Sequence, residues 1–536
     1  MLRLITVVCL LLAVPVLGIL GSWLALDAQA LAILQHQLQT VLPEYAWASL
    51  LLSVCVAIGV ALIGGATAAA VSLFDFPGRR FFEWGLLLPM AMPAYVAAYA
   101  YTDALQYSGA LQTWLRAMTG AQGALWPDVR SLPGAVGLFV LCLYPYVYLL
   151  TRTALSERGV ALMEAARMLG AGTTRRVREV ALPLARPALA AGIALALMET
   201  LADYGVGAYF GLTTLTTGVY KAWLVMNDKT AAAQLASVLL LAVGALLWLE
   251  RRAQAKLRFA SSRSGALHAA EARPLPLHGG AALAAVLLCA LPILLGFVVP
   301  VLVLLQLLWQ EALHAELGLP LARFAQWSLS SLKLSGLAAL LAVLLALVLA
   351  YLGRVRGSGS ALLGVSTRIV SLGYAVPGAV IAIGILLPLG WLQERWPQLG
   401  LTSLMTGTIA GLMYAYLVRF SGVALQSLEA GYARISPTVD ETARMLGASR
   451  TRMFLELHAP LLARSAWAAA LLVFVDVMKE LPATLVLRPF NSDTLAVVAY
   501  QLARDERLGE AALPSLAIVL VGLIPVIMLS RAMRKP

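Results

Sequence analysis

The amino-acid sequence predicts an all-α protein that crosses a membrane about 12 times, as two tandem six-helix domains. Three observations lead to this fold class. Of the 536 residues, 61% are hydrophobic and only 12% are charged. Apolar stretches long enough to cross a hydrocarbon layer of roughly 30 Å recur along the whole chain. One polar segment of the first half returns in the second half, so the chain contains an internal repeat.

Hydropathy places six membrane spans in each half of the chain. In the first half they lie near residues 4–26, 48–72, 83–104, 133–151, 187–203 and 233–249. In the second half they lie near residues 281–309, 332–353, 367–390, 403–420, 465–483 and 513–530. The first span resembles a signal peptide, since Arg3 precedes it and Ala28-Gln29-Ala30 follows it. Its apolar core of about 23 residues is longer than a signal core, so we expect the span to be retained.

These spans predict a first domain at residues 1–255, a linker at 256–280 and a second domain at 281–536. An even number of spans in each half gives both halves the same orientation. Most of the 39 lysines and arginines fall in segments that are cytoplasmic when the N-terminus is inside, such as 152–186 and 419–464. We therefore expect both termini, the linker and the repeated segment to be cytoplasmic.

Composition also excludes several kinds of site. A net charge of +12 could suggest nucleic-acid binding, but a membrane protein concentrates basic residues on its cytoplasmic side, so no nucleic-acid partner is expected. The four cysteines lie in apolar surroundings without metal-ligand spacing, at positions Cys9, Cys55, Cys142 and Cys289. We therefore expect no metal site, cofactor or disulfide framework.

The repeated segment begins as Glu164-Ala-Ala-Arg-Met-Leu-Gly170 and returns 277 residues later as Glu441-Thr-Ala-Arg-Met-Leu-Gly447. The two copies stay in register to Pro183 and Pro460. Residues 161–169 are good helix formers, and a glycine with positive φ can end that helix before a second helix runs to Pro183. Glu164 is expected near the start of its helix. Two short helices joined at a glycine form a compact projection that suits docking to a partner. A loop that only lay at the membrane interface would not need to be repeated in the second half.

Both copies follow the pattern Glu-Ala-Ala-x3-Gly-x9-hydrophobic-x-Leu-Pro, from which the second departs at Thr442 and Ala459. This pattern resembles the EAA loop in permease subunits of binding-protein-dependent ABC importers, and it implies a type I ABC importer fold. By that resemblance, the residues that couple to an ATPase are Glu164, Ala166, Gly170 and Pro183 in the first loop (164–183), and Glu441, Ala443, Gly447 and Pro460 in the second loop (441–460).

A source of energy must lie outside this chain. No lysine follows a glycine, so the nucleotide-binding P-loop motif is absent from the sequence. We expect ATP hydrolysis on separate ABC ATPase subunits, in two copies, each receiving one loop. The chain itself is expected to be a transport subunit without catalytic residues.

Two pairs of carboxylates occupy equivalent places in the halves: Glu199 and Asp203 in the fifth span, and Asp476 and Glu480 in the eleventh. Charges inside a bilayer are costly and usually functional. Residues four apart on a helix share a face, so each pair could line the translocation pathway. The alternative is structural pairing, for example between Asp476 and Lys479 at i+3.

The sequence around these carboxylates, Met198–Gly211 and Asp476–Phe490, is similar to that of fused permeases for iron(III) uptake. The resemblance implies iron(III) transport, an inner-membrane location and an extracytoplasmic solute-binding protein as partner. The oxygen ligands that Fe³⁺ prefers could come from the carboxylates and from Tyr95, Tyr99 and Tyr101.

Two alternatives to iron transport remain. Fused permeases for thiamine or a phosphonate have a similar layout. An ion-driven secondary transporter with two six-helix repeats is a different class, but it has no evident reason to duplicate the loop.

Overall fold

The computed structural model describes residues 2–25, 27–261, 274–314, 318–356 and 361–534. It confirms the all-α fold class. Within these ranges the only strands are the two-residue strands β1 (Phe74–Asp75) and β2 (Leu275–Pro276), which pair in parallel. Residues 262–273 of the predicted linker lie outside the described ranges.

The α-helices fall into two series along the chain. The first series is α1 (Leu2–Gly21), α2 (Ala28–Gln39), α3 (Val41–Leu73), α4 (Arg79–Gly85), α5 (Ala94–Leu105), α6 (Ala110–Thr119), α7 (Leu132–Met168), α8 (Thr173–Arg176), α9 (Leu182–Ala202), α10 (Gly205–Tyr209), α11 (Leu215–Tyr220) and α12 (Lys229–Ser261).

The second series is α13 (Gly279–Ile293), α14 (Val299–His314), α15 (Leu321–Arg356), α16 (Ala361–Gly373), α17 (Gly378–Arg395), α18 (Leu401–Gly407), α19 (Ala410–Tyr432), α20 (Pro437–Met445), α21 (Arg450–Arg452), α22 (Ala459–Met478), α23 (Pro482–Leu487), α24 (Leu495–Arg504) and α25 (Leu508–Arg534). Short 3₁₀-helical segments lie at Ser22–Ala25, Leu88–Ala91 and Pro397–Leu399, and π-helical segments lie at Val177–Ala181, Lys221–Val225, Leu294–Val298 and Met453–His458.

The predicted number of spans agrees with the helices. Among the described residues, nine helices are long and apolar enough to cross a membrane, and the number is 12 when each of three bent helix pairs counts as one span. Each of the 12 predicted spans overlaps one of these. The bent pairs are the third, ninth and tenth spans, with bends of 89°, 119° and 74°.

Prolines mark two of these bends. Pro93 immediately precedes α5 and Pro377 immediately precedes α17, both with extended backbone (ψ 139° and 142°). Proline disfavours the helical conformation of the residue before it, so an incoming helix ends there and a new helix begins after it. The third and ninth spans, one in each half, are therefore each broken at a proline.

The tenth span ends later than the sequence predicts. Hydropathy ends it near residue 420 and assigns Arg419 to a cytoplasmic segment, but α19 continues to Tyr432 with Arg419 inside it. The Arg419 side chain is only 11% exposed and forms an ion pair with Glu480. A paired arginine lowers hydropathy without ending a helix, which explains why the predicted boundary lies within α19.

The chain forms two compact units that interleave the halves of the sequence. Unit 1 contains residues 1–37, 219–240 and 320–498, and unit 2 contains residues 38–218, 241–319 and 499–536. Each unit is built mainly on four spans of one half and includes the first span of the other half. The division at 1–255 and 281–536 describes the sequence repeat and stays a prediction.

Small residues allow the first span to pack closely within unit 1. A Cβ atom on Gly18 of α1 would lie 2.7 Å from Cγ of Pro388 in α17, and one on Gly384 would overlap the carbonyl oxygen of Pro15. Helices in a membrane associate through close van der Waals contact, which glycine permits. This contact ties α1 to the second half of the sequence.

Candidate functional site

The first loop continues a membrane span. α7 runs without a break from Leu132 to Met168, so Glu164 lies near the C-terminal end of a 37-residue helix. The prediction that Glu164 lies near a helix start is therefore wrong: the run of helix formers at 161–169 extends the preceding span instead of starting a new helix. Glu164 is exposed, as is Glu441 in α20 of the second loop.

Both loops turn at their glycine through the same hydrogen bonds. Gly170 has φ 81° and Gly447 has φ 76°. The N–H of Ala171 donates to the carbonyl of Ala166 at 3.0 Å, and that of Ala448 donates to Ala443 at 3.0 Å. The glycine N–H groups donate to the carbonyls of Arg167 and Arg444 at 2.9 and 3.0 Å. This is the Schellman motif, and it confirms the left-handed turn predicted at the two glycines.

The segment after each glycine leads directly into the membrane. A short helix, α8 or α21, passes into a π-helical segment and then into α9 or α22. Pro183 and Pro460 lie in the first turn of α9 and α22, so the second helix does not end at Pro183 as the sequence suggested. Exposed ion pairs repeat here as well, with Arg175 to Glu179 at 2.8 Å and Arg452 to Glu456 at 2.9 Å. Such exposed pairs contribute little to stability.

Each loop exposes two large apolar side chains directly before its glycine. Met168 and Leu169 are 84% and 89% exposed, and Met445 and Leu446 are 90% and 81% exposed. We call these two Met-Leu pairs the loop tips. Reasoning from the sequence missed them, although an identical Met-Leu-Gly triplet in two polar segments is a signal for them. Repeated exposed apolar patches of this kind mark a surface for another protein.

The two carboxylates of the first half, Glu199 and Asp203, lie in different structural surroundings. Glu199 is half-buried in the last turns of α9, which ends at Ala202. Asp203 follows the helix with extended backbone, and its Oδ1 accepts a hydrogen bond from the N–H of Val206 at 2.8 Å. The pair therefore does not share one helical face, and Asp203 instead accepts from an N–H group in the first turn of the short helix α10.

The second half repeats this arrangement with ion pairs. Asp476 lies in α22 and pairs with Lys479 at 3.2 Å, as the structural alternative predicted. Glu480 lies beyond the end of α22 and is buried. Its carboxylate accepts from Arg419 at 3.2 Å and from the N–H groups of Ala483 and Thr484, each at 3.0 Å. Glu480 thus accepts from N–H groups in the first turn of α23, as Asp203 does from the first turn of α10.

The predicted oxygen ligands are partly brought together in unit 2. Tyr95 and Tyr99 are buried in α5 with ring centroids 5.9 Å apart, and Tyr99 lies 4.8 Å from the ring of Tyr209. Tyr101 instead donates its hydroxyl hydrogen to the carbonyl of Leu295. Within the described part of the chain, no group of three or more His, Cys, Asp and Glu side chains could hold a metal ion.

Comparison with known proteins gives a family match in the first half. The family described as binding-protein-dependent transport system inner membrane component matches residues 61–258. This range contains the whole first loop together with Glu199 and Asp203.

Three relatives illustrate the similarity. An Fe(3+)-transport system permease protein of Haemophilus influenzae is 25% identical over 483 residues, which cover 90% of this chain and 88% of that protein. A putative 2-aminoethylphosphonate transport system permease protein of Salmonella typhimurium is 26% identical over 34% of this chain and 64% of its own length. A sulfate transport system permease protein of Escherichia coli is 28% identical over 33% of this chain and 63% of its own length.

Proposed function

We propose that this chain, of which residues 61–258 match the binding-protein-dependent transport system inner membrane component family, forms the solute pathway of an ATP-driven iron(III) importer. It takes its driving force from two ATPase subunits through the first and second loops. An extracytoplasmic solute-binding protein delivers the solute. The observation that carries the coupling role is the pair of loop tips, repeated at the same Schellman turn in both halves.

The geometry of the tips suits a partner that moves. Each tip lies at the end of a helix, α7 or α20, and the chain after the turn enters a membrane span within a few residues. A force applied at the exposed Met-Leu pair would therefore act on the span that follows, α9 or α22. ATP-driven closure of an ATPase dimer is a change of this kind, because packed helices move as rigid bodies between two states.

Cross-linking tests this proposal. In a chain whose four native cysteines are replaced, a cysteine at Met168 or at Met445 should cross-link to the ATPase that co-purifies with the chain. Each side chain is at least 84% exposed, so neither substitution disturbs packing. The matched control is a cysteine at Gln122, an exposed residue in the segment between the third and fourth spans, which we place on the opposite side of the membrane. Cross-linking from Gln122 but not from the tips would contradict both the coupling role and the proposed orientation.

The orientation is part of the proposal. We place both termini and both loops in the cytoplasm because basic residues concentrate in those segments. An ATPase that uses cytoplasmic ATP requires the loops to be on that side.

Iron(III) is the solute that the similarities favour. The Haemophilus influenzae relative, named for Fe(3+) transport, is similar over nine tenths of this chain, whereas the phosphonate and sulfate relatives match only about one third of it. Hard Fe³⁺ prefers oxygen ligands, which the carboxylates and the tyrosines of α5 offer.

We propose different roles for the members of each carboxylate pair. Glu199 and Asp476 lie within α9 and α22 and are half-buried, so they line the pathway. Asp203 and Glu480 adjoin the pathway and hold the turns that follow the two helices, because each one accepts hydrogen bonds from backbone N–H groups.

Neutral variants test the pathway role. Glu199→Gln together with Asp476→Asn keeps the size of each side chain and removes its charge, so cation uptake should fall by about tenfold or more while the chain still inserts and binds its ATPase. The measurement is accumulation of radioactive iron in cells grown with iron, compared with phosphonate and sulfate uptake. Unchanged iron uptake would assign these carboxylates a structural role.

A further inference from the structure

A buried polar network connects the second loop to the spans of unit 1. Asp440, in the first turn of α20, is only 5% exposed. Its Oδ2 accepts from Nε of Arg354 in α15 at 2.7 Å, and its Oδ1 lies 3.1 Å from Nε2 of His458. His458 is fully buried, and its Nδ1 lies 3.4 Å from the hydroxyl of Tyr432. All the hydrogen-bonding groups of the Asp440 carboxylate and the His458 ring are thus engaged within the protein.

Two further hydrogen bonds extend this network along the loop. A guanidinium N–H of Arg354 donates to the carbonyl of Ile435 at 2.9 Å. The hydroxyl of Tyr351, one turn earlier in α15, donates to the carbonyl of Arg450 at 2.8 Å. The C-terminal end of α15 therefore contacts the chain before α20, α20 itself and the second loop after its Schellman turn.

The first half has apolar side chains at the positions equivalent to this polar network. Tyr432, Asp440, His458 and Leu462 correspond, at the 277-residue offset of the loops, to Leu155, Met163, Ala181 and Ala185. These four residues pack in one buried hydrophobic cluster with Leu73 of α3. The network is thus a replacement of apolar side chains by an acid, an imidazole and a phenol at matching positions.

The backbone supplies a reason for the difference. In the first half, α7 carries the span into the loop as one helix, so its own hydrogen bonds fix the position of the tip. In the second half, the chain leaves the helix between α19 and α20, at residues 433–436. The ladder of helical backbone hydrogen bonds is therefore not continuous from α19 to α20. Side chains must hold α20 in its place, and charged hydrogen bonds are stronger and more directional than apolar contact.

We propose that Arg354, Asp440 and His458 are positioning residues that form a charged clamp on the second loop, so that movement of its tip is passed to α15 and α22. This inference rests on the proposed ATPase-coupling role of the loops. It implies that movement of the loop tip reaches the spans in different ways in the two halves, through a continuous helix in the first half and through the clamp in the second.

The charge state of the clamp agrees with this role. Burial raises the pKa of Asp440, but hydrogen bonds from Arg354 and His458 outweigh it, and the pKa lies below its ordinary value. A carboxylate with a lowered pKa contributes stability above its ordinary pKa of about 3.9, and this is lost only as pH falls through the folded-state value. Asp440 therefore stays charged, and its contribution to the clamp is complete, throughout the neutral range.

The test measures solute uptake and ATP hydrolysis together, in the full chain reconstituted with its ATPase. Asp440→Asn keeps the shape of the side chain but removes the counter-charge of Arg354, whose side chain is 16% exposed. Uptake per ATP hydrolysed should fall by roughly two- to thirty-fold, the range for residues that carry coupling between sites. Glu456→Gln, which removes a carboxylate from an exposed ion pair of the same loop, is the matched control and should leave the ratio unchanged.

A second variant separates positioning from folding. Arg354→Met with Asp440→Asn removes both charges, so neither is left buried alone, and the chain should accumulate in the membrane normally. A positioning role predicts that the ratio of uptake to ATP hydrolysis stays low in this variant, whereas a purely structural role predicts a normal ratio. A normal ratio in the double variant would overturn the proposal, as would failure of both variants to accumulate, since the network would then be needed for the fold.

The cross-link from Met445 distinguishes this inference from the function on which it rests. If a cysteine at that position does not reach the ATPase in the otherwise unchanged chain, the coupling role and the clamp both fail. If the cross-link forms and the double variant has a normal ratio, only the clamp fails.

Discussion

Replacing Gly170 and Gly447 together by valine is expected to reduce ATP-dependent uptake by about tenfold or more, while the chain still inserts into the membrane. Both glycines have φ near 80°, where a Cβ atom costs about 1–2 kcal/mol and a β-branched side chain costs more. A Cβ atom on either glycine would have no neighbour within 4 Å, so the penalty comes from the backbone and not from a clash. The Schellman hydrogen bonds would be lost, and the loop tips would be displaced.

Two matched variants make this result specific. Asparagine tolerates the left-handed conformation, so the Gly170→Asn and Gly447→Asn pair should retain most of the uptake. Gly172 also has open space around it but lacks a positive φ, so Gly172→Ala should behave like the unchanged chain. The measurement is iron uptake per amount of inserted permease. Full uptake by the valine pair would disprove that the turn geometry matters for coupling.

The largest loss of stability is expected from Glu480→Gln. Oε1 of Glu480 accepts from Arg419 and Ala483, and Oε2 accepts from the N–H of Thr484 at 3.0 Å and from its hydroxyl at 2.6 Å. A glutamine has only one acceptor oxygen, so its NH₂ group would face a donor on one side or the other. Arg419, whose side chain is only 11% exposed, would also lose the charge of Glu480. Breaking a buried ion pair in this way costs about 3–5 kcal/mol.

Thermal unfolding of the purified protein in detergent measures this loss. Glu510→Gln is the control, because Glu510 pairs with Arg507 at 2.5 Å at the start of α25, where both side chains are more exposed than those of Glu480 and Arg419. The midpoint temperature of unfolding should change little in the Glu510→Gln variant, whereas it should fall by several degrees in the Glu480→Gln variant. Equal midpoints for the two variants would show that the Arg419–Glu480 pair is not important for stability.

Much of the fold could be predicted from local properties of the sequence. The cost of burying charges and unpaired backbone groups in hydrocarbon makes long apolar stretches helical spans, and each of the 12 predicted spans overlaps a helix or a bent helix pair. Gly170 and Gly447 were predicted to turn the loops because only glycine adopts positive φ without penalty, a property of the residue itself.

Other features of the candidate site could not be predicted, because they depend on where a helix ends and on distant partners. Asp203 and Glu480 are four residues from Glu199 and Asp476, yet α9 and α22 end between them, so the predicted shared face does not exist. Arg419 has the character of a loop residue until its partner 61 positions away is known.

By itself, the sequence determined that this protein is a duplicated all-α membrane protein with a loop that turns at a glycine in each half. Hydropathy and the conformational freedom of the backbone are local quantities, so the sequence alone shows them. Only the tertiary structure decided which spans share a compact unit and which side chains hold the second loop. The clamp depends on Arg354 and Asp440, which lie 86 residues apart and meet only when α15 packs beside the loop. Contacts of this kind are set by packing, and no pattern within either segment encodes them.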